Sequence, residues 1–189
     1  MSDRVSRWNE RYAKAGGRFD PSPLLATAID GCTPGLALDL ACGTGRHAIA
    51  LAERGWRVIA VDAAVRAVEI MTAEAARRGI ADRIEAVVAD LESTPRGFPL
   101  ERATYDLLCD FYFLDRTLFD EIRAAVRPGG RFVAAIHVDA AGDDIRFAPG
   151  ELLGTVGDWG WEILHAAEGR REPSAPRATA EIVARRPID

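Results

Sequence analysis

The sequence predicts an α/β protein with a doubly wound, mostly parallel seven-stranded sheet and an antiparallel C-terminal strand pair. Short apolar runs alternate with helical patterns between residues 36 and 138, which is typical of parallel strands joined by right-handed crossovers. The last two strand-like runs are separated only by residues 168–177. That interval is too short for a helical crossover, so we expect these strands to pair antiparallel. The length of 189 residues and the hydrophobic content of 48% suit a single domain with a full core.

The predicted elements follow one another in a regular order. Helices are expected over residues 3–15, 24–29, 47–54, 63–78 and 117–126, and strands over 36–40, 56–61, 84–88, 105–109, 132–138, 161–167 and 178–184. Gly16 and Gly79 directly follow two of the helical patterns, where a glycine often ends a helix. Pro95 and Pro99 predict a stunted crossover after the third strand. The Pro-Gly-Gly sequence at 128–130 predicts a turn into the fifth strand.

The charge balance excludes some classes of function. The formal charge is −5, from 24 basic and 29 acidic residues, and no basic block is present. A dedicated nucleic-acid-binding protein is therefore not expected, because neutralising phosphates needs clustered lysine and arginine. Lys14 is the only lysine in the chain, which leaves almost no place for lysine-based catalysis such as Schiff-base chemistry.

The sequence also predicts a compartment. The N-terminal residues lack the apolar stretch of a signal peptide, and no run approaches the roughly 20 apolar residues that span a bilayer. Cys32, Cys42 and Cys109 are too widely spaced for a disulfide framework or a zinc site. We therefore expect a cytoplasmic protein with reduced thiols, no membrane association and no metal. The sequence carries no signal for an oligomeric state.

Polar residues follow each of the first four predicted strands, at the strand ends where ligands bind in an open parallel sheet. They are Asp39 with the turn Cys42-Gly43-Thr44-Gly45, then Asp62, then Asp90 with Leu91, and finally Asp110. Gly43 and Gly45 allow the backbone to approach a ligand and to turn into a helix, whose N-terminal amides favour an anionic group. Asp62 lies 17 residues after Gly45, at a spacing where a carboxylate can accept both ribose hydroxyls.

This spacing leaves two kinds of cofactor open. Residues 43–48 also satisfy the dinucleotide pattern G-x-G-x-x-G/A, so a nicotinamide oxidoreductase is an alternative. Three features favour a nucleoside that carries a cationic group. Asp39 would oppose a pyrophosphate but could pair with an amino group, and Asp90 suits an adenine amine. The third is the antiparallel strand pair, which replaces the sixth parallel strand usual in dinucleotide domains.

Several motifs resemble those of the class I S-adenosylmethionine-dependent methyltransferases, in the expected order. Residues 38–45, Leu-Asp-Leu-Ala-Cys-Gly-Thr-Gly, resemble motif I, and Val61-Asp62, Ala89-Asp90-Leu91 and Leu107-Leu108-Cys109-Asp110 resemble the motifs that follow. Residues 118–133 resemble the family's helix, its L-R-P-G-G turn and its fifth strand. The resemblance covers residues 36–138 and implies a Rossmann-like sheet. The segments 8–12 and 111–116 are similar to those of small tellurite-resistance-type methyltransferases.

The resemblance implies a set of residues that hold S-adenosylmethionine. They are Trp8, Tyr12, Asp39, Ala41, Cys42, Gly43, Thr44, Gly45, Asp62, Ala63, Asp90, Leu91 and Asp110. In this set Asp39 and the glycine turn hold the methionine part, Asp62 the ribose and Asp90 the adenine amine, while Leu91 packs on the adenine ring. Ala41 departs from the family, which usually has its first glycine there. We expect binding to survive this change if the φ angle of residue 41 is negative.

The resemblance also implies the reaction, an in-line transfer of the methyl group to a small-molecule acceptor. A non-catalytic module that binds S-adenosylmethionine is the alternative, because active and inactive members share the cofactor residues. Tyr112, Arg116 and His137 are the candidate catalytic residues. Arg116 could hold an anionic substrate or be a surface charge. His137 could act as an acid or base or be a half-buried structural histidine with its hydrogen bonds satisfied.

The division of the chain follows from these assignments. We expect one methyltransferase domain over residues 1–189, with an N-terminal helical lid over 1–35 and a cofactor-binding core over 36–138. Residues 139–189 would add a helix and the closing strand pair. No inserted recognition domain is present, which favours a small acceptor over a macromolecule.

Overall fold

A computed structural model of the chain describes residues 3–140, 142–170 and 177–188. The helices are α1 (Asp3–Ala15), α2 (Pro23–Ile29), α3 (Arg46–Glu53), α4 (Val65–Arg77), α5 (Phe119–Ala125) and α6 (Glu151–Gly157). The strands are β1 (Leu36–Leu40), β2 (Arg57–Asp62), β3 (Ile84–Val88), β4 (Tyr105–Phe111), β5 (Val126–Val138), β6 (Glu162–Gly169) and β7 (Ala178–Arg185). They form a seven-stranded sheet in the order β3-β2-β1-β4-β5-β7-β6, which confirms the predicted fold class.

The chain divides into two compact units, and the first contains residues 1–22 and 32–99. Here β2 pairs in parallel with both β1 and β3. The β1 residues are almost all buried, as expected for a parallel strand covered on both faces. The apolar side of α4 is also buried, through Ala67, Val68, Met71 and Ala75. This unit positions the carboxyl ends of β1, β2 and β3.

The second unit contains residues 23–31 and 100–189. In it β4 and β5 are parallel, while β7 pairs antiparallel with β5 and with β6. The predicted antiparallel strand pair is therefore confirmed, although residues 171–176 of its connection lie outside the described part of the chain. Its core contains an aromatic cluster in which Trp159 contacts Phe119, Phe132 and Trp161.

The structure differs from the sequence prediction at two boundaries. The Pro-Gly-Gly sequence at 128–130 lies within β5 rather than before it, because the strand register shifts between the Tyr105–Val126 and Leu107–Arg131 pairs and the extra residues bulge. The first turn of the helix predicted from residue 117 is a 3₁₀ turn over Arg116–Leu118. Residues 89–104 form no helix, as the prolines in that segment predict.

Candidate functional site

The turn between β1 and α3 adopts three left-handed backbone conformations. The φ angles are +48° at Ala41, +56° at Gly43 and +78° at Gly45. The Cys42 amide donates to the Val61 carbonyl at 3.0 Å, which ties the turn to β2. A Cβ atom at Gly43 would lie 2.8 Å from the Tyr12 hydroxyl oxygen, and one at Gly45 would overlap the Met71 side chain. Both positions therefore require glycine for packing as well as for φ.

The positive φ at Ala41 corrects the expectation that this angle is negative. An L-residue in the left-handed region costs roughly 1–2 kcal/mol, because its Cβ crowds the following carbonyl. The turn nevertheless forms, since the Gly45 amide donates to the Cys42 carbonyl at 3.0 Å. Ala41 therefore strains the turn without blocking it.

Asp62, at the end of β2, is hydrogen-bonded to the glycine turn. Its Oδ2 accepts a hydrogen bond from the Gly43 amide and its Oδ1 accepts one from the Ala64 amide, each at 2.8 Å. Burial raises the pKa of this carboxyl, and the two amide bonds oppose the rise. Each carboxylate oxygen has a second lone pair, so Asp62 can still accept from two hydroxyl groups of a ligand.

Asp39, within β1, is a buried carboxyl group with one unused oxygen. The residue is 1% exposed, and its Oδ2 accepts from the Ala48 amide at 3.1 Å. Its Oδ1 is buried and has no hydrogen-bond partner among the described residues. Burial raises the pKa of Asp39 to about 7, although the Ala48 amide and Arg46 lower it. A buried carboxylate of this kind is stabilised by a cationic partner, which an amino group of a ligand would provide.

Helix α1 covers the glycine turn through Tyr12, whose hydroxyl lies close to Gly43. Burial, with Asp62 and Cys42 as further causes, raises the pKa of Tyr12 to about 12, so the hydroxyl stays a hydrogen-bond donor. Trp8 stacks on Tyr12 with ring centroids 5.6 Å apart and is 39% exposed. Asn9 Oδ1 accepts from the Arg66 amide at 2.9 Å, which connects α1 to the start of α4. Helix α1 is therefore attached both to the glycine turn and to α4.

The segment that follows α1 is also attached to the glycine turn, by two contacts that the sequence analysis missed. Thr44 Oγ1 donates to the Arg18 carbonyl at 3.2 Å and accepts from the Arg18 amide at 3.3 Å. His47 Nε2 accepts from the Ser22 amide at 3.3 Å. Burial, together with Arg46, lowers the pKa of His47 to about 3, so the ring is neutral and can accept. His47 thus helps to hold the segment after α1 in place, a contact that no local sequence pattern indicates.

The remaining predicted cofactor residues lie at other strand ends. Asp90 Oδ1 accepts from the Glu92 amide at 3.0 Å, so this side chain caps the turn after β3. Leu91 is buried, and Ala63 is half-buried directly after β2. Asp110 is buried in the second unit, within β4. The structure therefore brings Asp39, the glycine turn, Asp62 and Tyr12 together, whereas the Asp90 side chain is already engaged in a turn.

The guanidinium group of Arg116 forms hydrogen bonds with other residues of the second unit. Its guanidinium forms two hydrogen bonds with the Glu151 carboxylate, from Nε at 2.6 Å and from Nη2 at 3.1 Å. It also donates to the carbonyls of Asp143 and Arg146, at 2.7 and 3.2 Å. Of the two roles the sequence left open, the structure favours the surface ion pair over anion binding, because this network already uses the guanidinium.

The other two candidates, Tyr112 and His137, lie against each other with ring centroids 4.8 Å apart. Tyr112 directly follows β4, and His137 is the penultimate residue of β5. His137 is half-buried, but its Nδ1 has no hydrogen-bond partner among the described residues, so it differs from the satisfied structural histidine of the alternative.

A buried carboxyl group in the second unit was not foreseen. Glu181 lies in β7 and is 4% exposed, and its Oε2 is 3.7 Å from Nε2 of His165 on β6. The only sequence signal is an acidic residue inside the apolar run 178–184.

Residues 37–130 match the model of a protein family described as a methyltransferase domain. The chain belongs to this family. The match confirms the class I, S-adenosylmethionine-dependent type that the motifs indicate, and it favours that cofactor over a nicotinamide dinucleotide. The side chains fit the cofactor, because Asp39 offers a buried, unused oxygen to a cationic group.

One curated relative is the sterol 4-C-methyltransferase strm-1 of Caenorhabditis elegans. It is 31% identical over 102 residues, which are 51% of this chain. The match covers only 29% of that relative, so this chain spans less than a third of its length.

Two solved structures illustrate the likeness in fold. TehB from Haemophilus influenzae matches 95% of this chain and 67% of its own, with a TM-score of 0.73 and 18% identity. A 1,6-didemethyltoxoflavin-N1-methyltransferase from Burkholderia thailandensis matches 98% of this chain and 86% of its own, with a TM-score of 0.70 and 22% identity. At these identities the likeness shows the fold. In the described part of the chain, none of the helices is both long enough and apolar enough to cross a membrane.

Proposed function

We propose that this chain transfers the methyl group of S-adenosylmethionine to a small-molecule acceptor. The observation that carries the proposal is Asp39, whose buried Oδ1 has no hydrogen-bond partner among the described residues. A buried carboxyl group left in this state costs stability, and a ligand amino group would offset that cost. The methionine part of the cofactor carries such a group.

The other residues of the site have complementary tasks. Asp62 keeps two lone pairs for the ribose hydroxyls, while its bonds to the Gly43 and Ala64 amides hold the turn in place. Tyr12 covers the turn and keeps its proton, so it excludes water and can donate a hydrogen bond. When bound, S-adenosylmethionine supplies a methyl group that its positive sulfur has already activated. The chain therefore contributes mainly alignment and exclusion of water.

Two features support a small acceptor. The relatives named above are called a sterol and a didemethyltoxoflavin methyltransferase, and the latter structure contains 1,6-didemethyltoxoflavin. In addition, the described residues of the two units form the sheet and its flanking helices, with no inserted recognition domain among them.

The test has two stages. Calorimetry on the purified chain should first show binding of S-adenosylmethionine, and a failure to bind would contradict the proposal. Release of S-adenosylhomocysteine should then be measured with a panel of thiols, phenols, carboxylates, small amines, halides, selenite and tellurite. Turnover of one acceptor class is the expected result. Binding without transfer to any of them would instead favour the non-catalytic alternative.

A further inference from the structure

Tyr112 is held rigidly although it lies at the surface. Its φ angle is +69°, in the left-handed region that bulky residues rarely adopt. Its amide donates to the Ala135 carbonyl at 2.7 Å, and its ring rests on His137 at a centroid distance of 4.8 Å. The residue is nevertheless 45% exposed. Tyr112 therefore presents a fixed aromatic ring to the outside of the second unit.

His137, beneath this ring, adds a second feature that costs stability. Its Nδ1 is buried and has no hydrogen-bond partner among the residues that the structure describes. An unpaired buried nitrogen and a strained tyrosine are both unfavourable for folding. Such features are concentrated at binding and catalytic sites, where the surrounding structure maintains them.

The position of the pair agrees with a ligand site. Strands β4 and β5 are parallel, with Phe111 opposite Ala135 in the register. Tyr112 follows the carboxyl end of β4, and His137 lies near the carboxyl end of β5. Ligands of open parallel sheets bind at these ends.

The charges around the pair restrict the chemistry of the ligand. Burial lowers the pKa of His137, and Arg177 and Arg146 lower it further, while a hydrogen bond with the Ala178 backbone acts in the opposite direction. The ring is therefore neutral at pH 7. Arg146 already forms ion pairs with Asp139 and Asp143, so the excess positive charge near the ring comes from Arg177. A cationic ligand is disfavoured here, whereas a neutral or anionic one is favoured. The exposed Tyr112 ring favours a partner that can stack on it.

We propose that the Tyr112–His137 pair is the platform for the methyl acceptor and that it selects a planar aromatic acceptor, neutral or anionic. This inference rests on the proposed function, because it assigns the acceptor of that reaction. Binding to the platform can be measured without turnover, so a failure of this inference can be distinguished from a failure of the proposed function.

The experiment uses three probes that differ in one property each. Benzoate is planar and anionic, cyclohexanecarboxylate is anionic but not planar, and benzylammonium is aromatic but cationic. Their affinities for the full chain, with S-adenosylhomocysteine added, are measured by ligand-observed NMR. We expect benzoate to bind about tenfold more tightly than either of the others. Equal affinity for benzoate and cyclohexanecarboxylate, or no benzoate binding, would overturn the inference.

Variants of Tyr112 separate binding from structure. Tyr112→Phe should retain benzoate affinity, while Tyr112→Gly and Tyr112→Ala should each weaken it by about tenfold. The glycine variant should melt at a higher temperature than the alanine variant, because only glycine adopts φ +69° without strain. Unchanged benzoate affinity in Tyr112→Gly would refute the platform. If the wild-type chain fails to bind S-adenosylmethionine, the proposed function fails instead.

Discussion

The glycine-turn region of the first unit and the Tyr112–His137 pair of the second unit use their polar groups differently. In the first, Asp62 satisfies two backbone amides and His47 satisfies a third. In the second, a buried histidine nitrogen lies under a strained tyrosine. The first region also contains strained Ala41 and the unpaired Asp39 Oδ1, so the difference lies in Asp62 and His47, which bond to the backbone of their own unit. Under the proposed roles, replacing Asp62 should therefore cost stability as well as cofactor affinity, whereas replacing Tyr112 with glycine should relieve strain.

The largest effect is expected from Asp62→Ala, which tests the double role of the cofactor residues. The change leaves the buried Gly43 and Ala64 amides without their acceptor, so we expect a loss of roughly 2–4 kcal/mol in unfolding free energy. It should also weaken S-adenosylmethionine binding at least tenfold, a change of about 1.4 kcal/mol. Chemical denaturation and calorimetry measure the two effects. Wild-type affinity in this variant would contradict the assignment of the site.

The second prediction concerns Asp39→Asn and the pH dependence of the free energy of unfolding. The pKa of Asp39 is raised to about 7 in the folded chain from an ordinary value of 3.8. The folded state therefore binds the proton more tightly, and this contribution to stability is lost as pH rises from about 4 through about 7. The asparagine variant should lack that loss and still accept from the Ala48 amide. Denaturation of the ligand-free proteins at pH 5 and pH 8 checks this, and identical pH profiles would refute it.

Arg116→Ala should have a moderate effect confined to stability. The guanidinium connects Glu151 with the carbonyls of Asp143 and Arg146, but its side chain is 41% exposed. Because solvent screens this ion pair, we expect the free energy of unfolding to fall by only about 1 kcal/mol, measured by chemical denaturation. Arg116→Lys is the matched control, since it keeps the charge and loses the forked geometry. A large drop in acceptor affinity with unchanged stability would restore the anion-binding role.

Ala41→Gly should give the smallest effect, and in the opposite direction. Glycine adopts φ +48° freely, so the strain of the turn is relieved. The greater freedom of glycine in the unfolded chain offsets part of this gain. We expect a net stabilisation of about 0.5–1 kcal/mol, measured by thermal denaturation. A destabilised variant would show that Ala41 is not strained.

The elements of the fold could be predicted because the hydrophobic pattern determines them locally. The bounds predicted for α1, β1 and β3 agree with the structure, and those of most other elements differ by a few residues. Asp39, the glycines and Asp62 could be identified because each directly follows, or lies in, a recognisable strand. Their convergence follows from parallel pairing alone.

The remaining features depend on contacts between distant residues, which no local pattern encodes. Arg116 meets Glu151, 35 positions away in the chain, and His47 meets Ser22, 25 positions away. Ala41, with its positive φ, precedes Cys42, whose amide donates to the Val61 carbonyl 19 positions away. Whether a polar side chain binds a ligand or another part of the chain is decided by such contacts.

The most direct test of the account is calorimetric titration of S-adenosylmethionine into wild-type protein and Asp39→Asn at pH 7.5 and pH 5.5. Protonation of Asp39, with its pKa of about 7, removes the carboxylate that would pair with the cofactor's amino group. We predict that wild-type affinity falls at least about tenfold at the lower pH. The variant should bind more weakly and lose most of this pH dependence. Absence of binding at both pH values, or wild-type affinity that does not change with pH, would contradict the account.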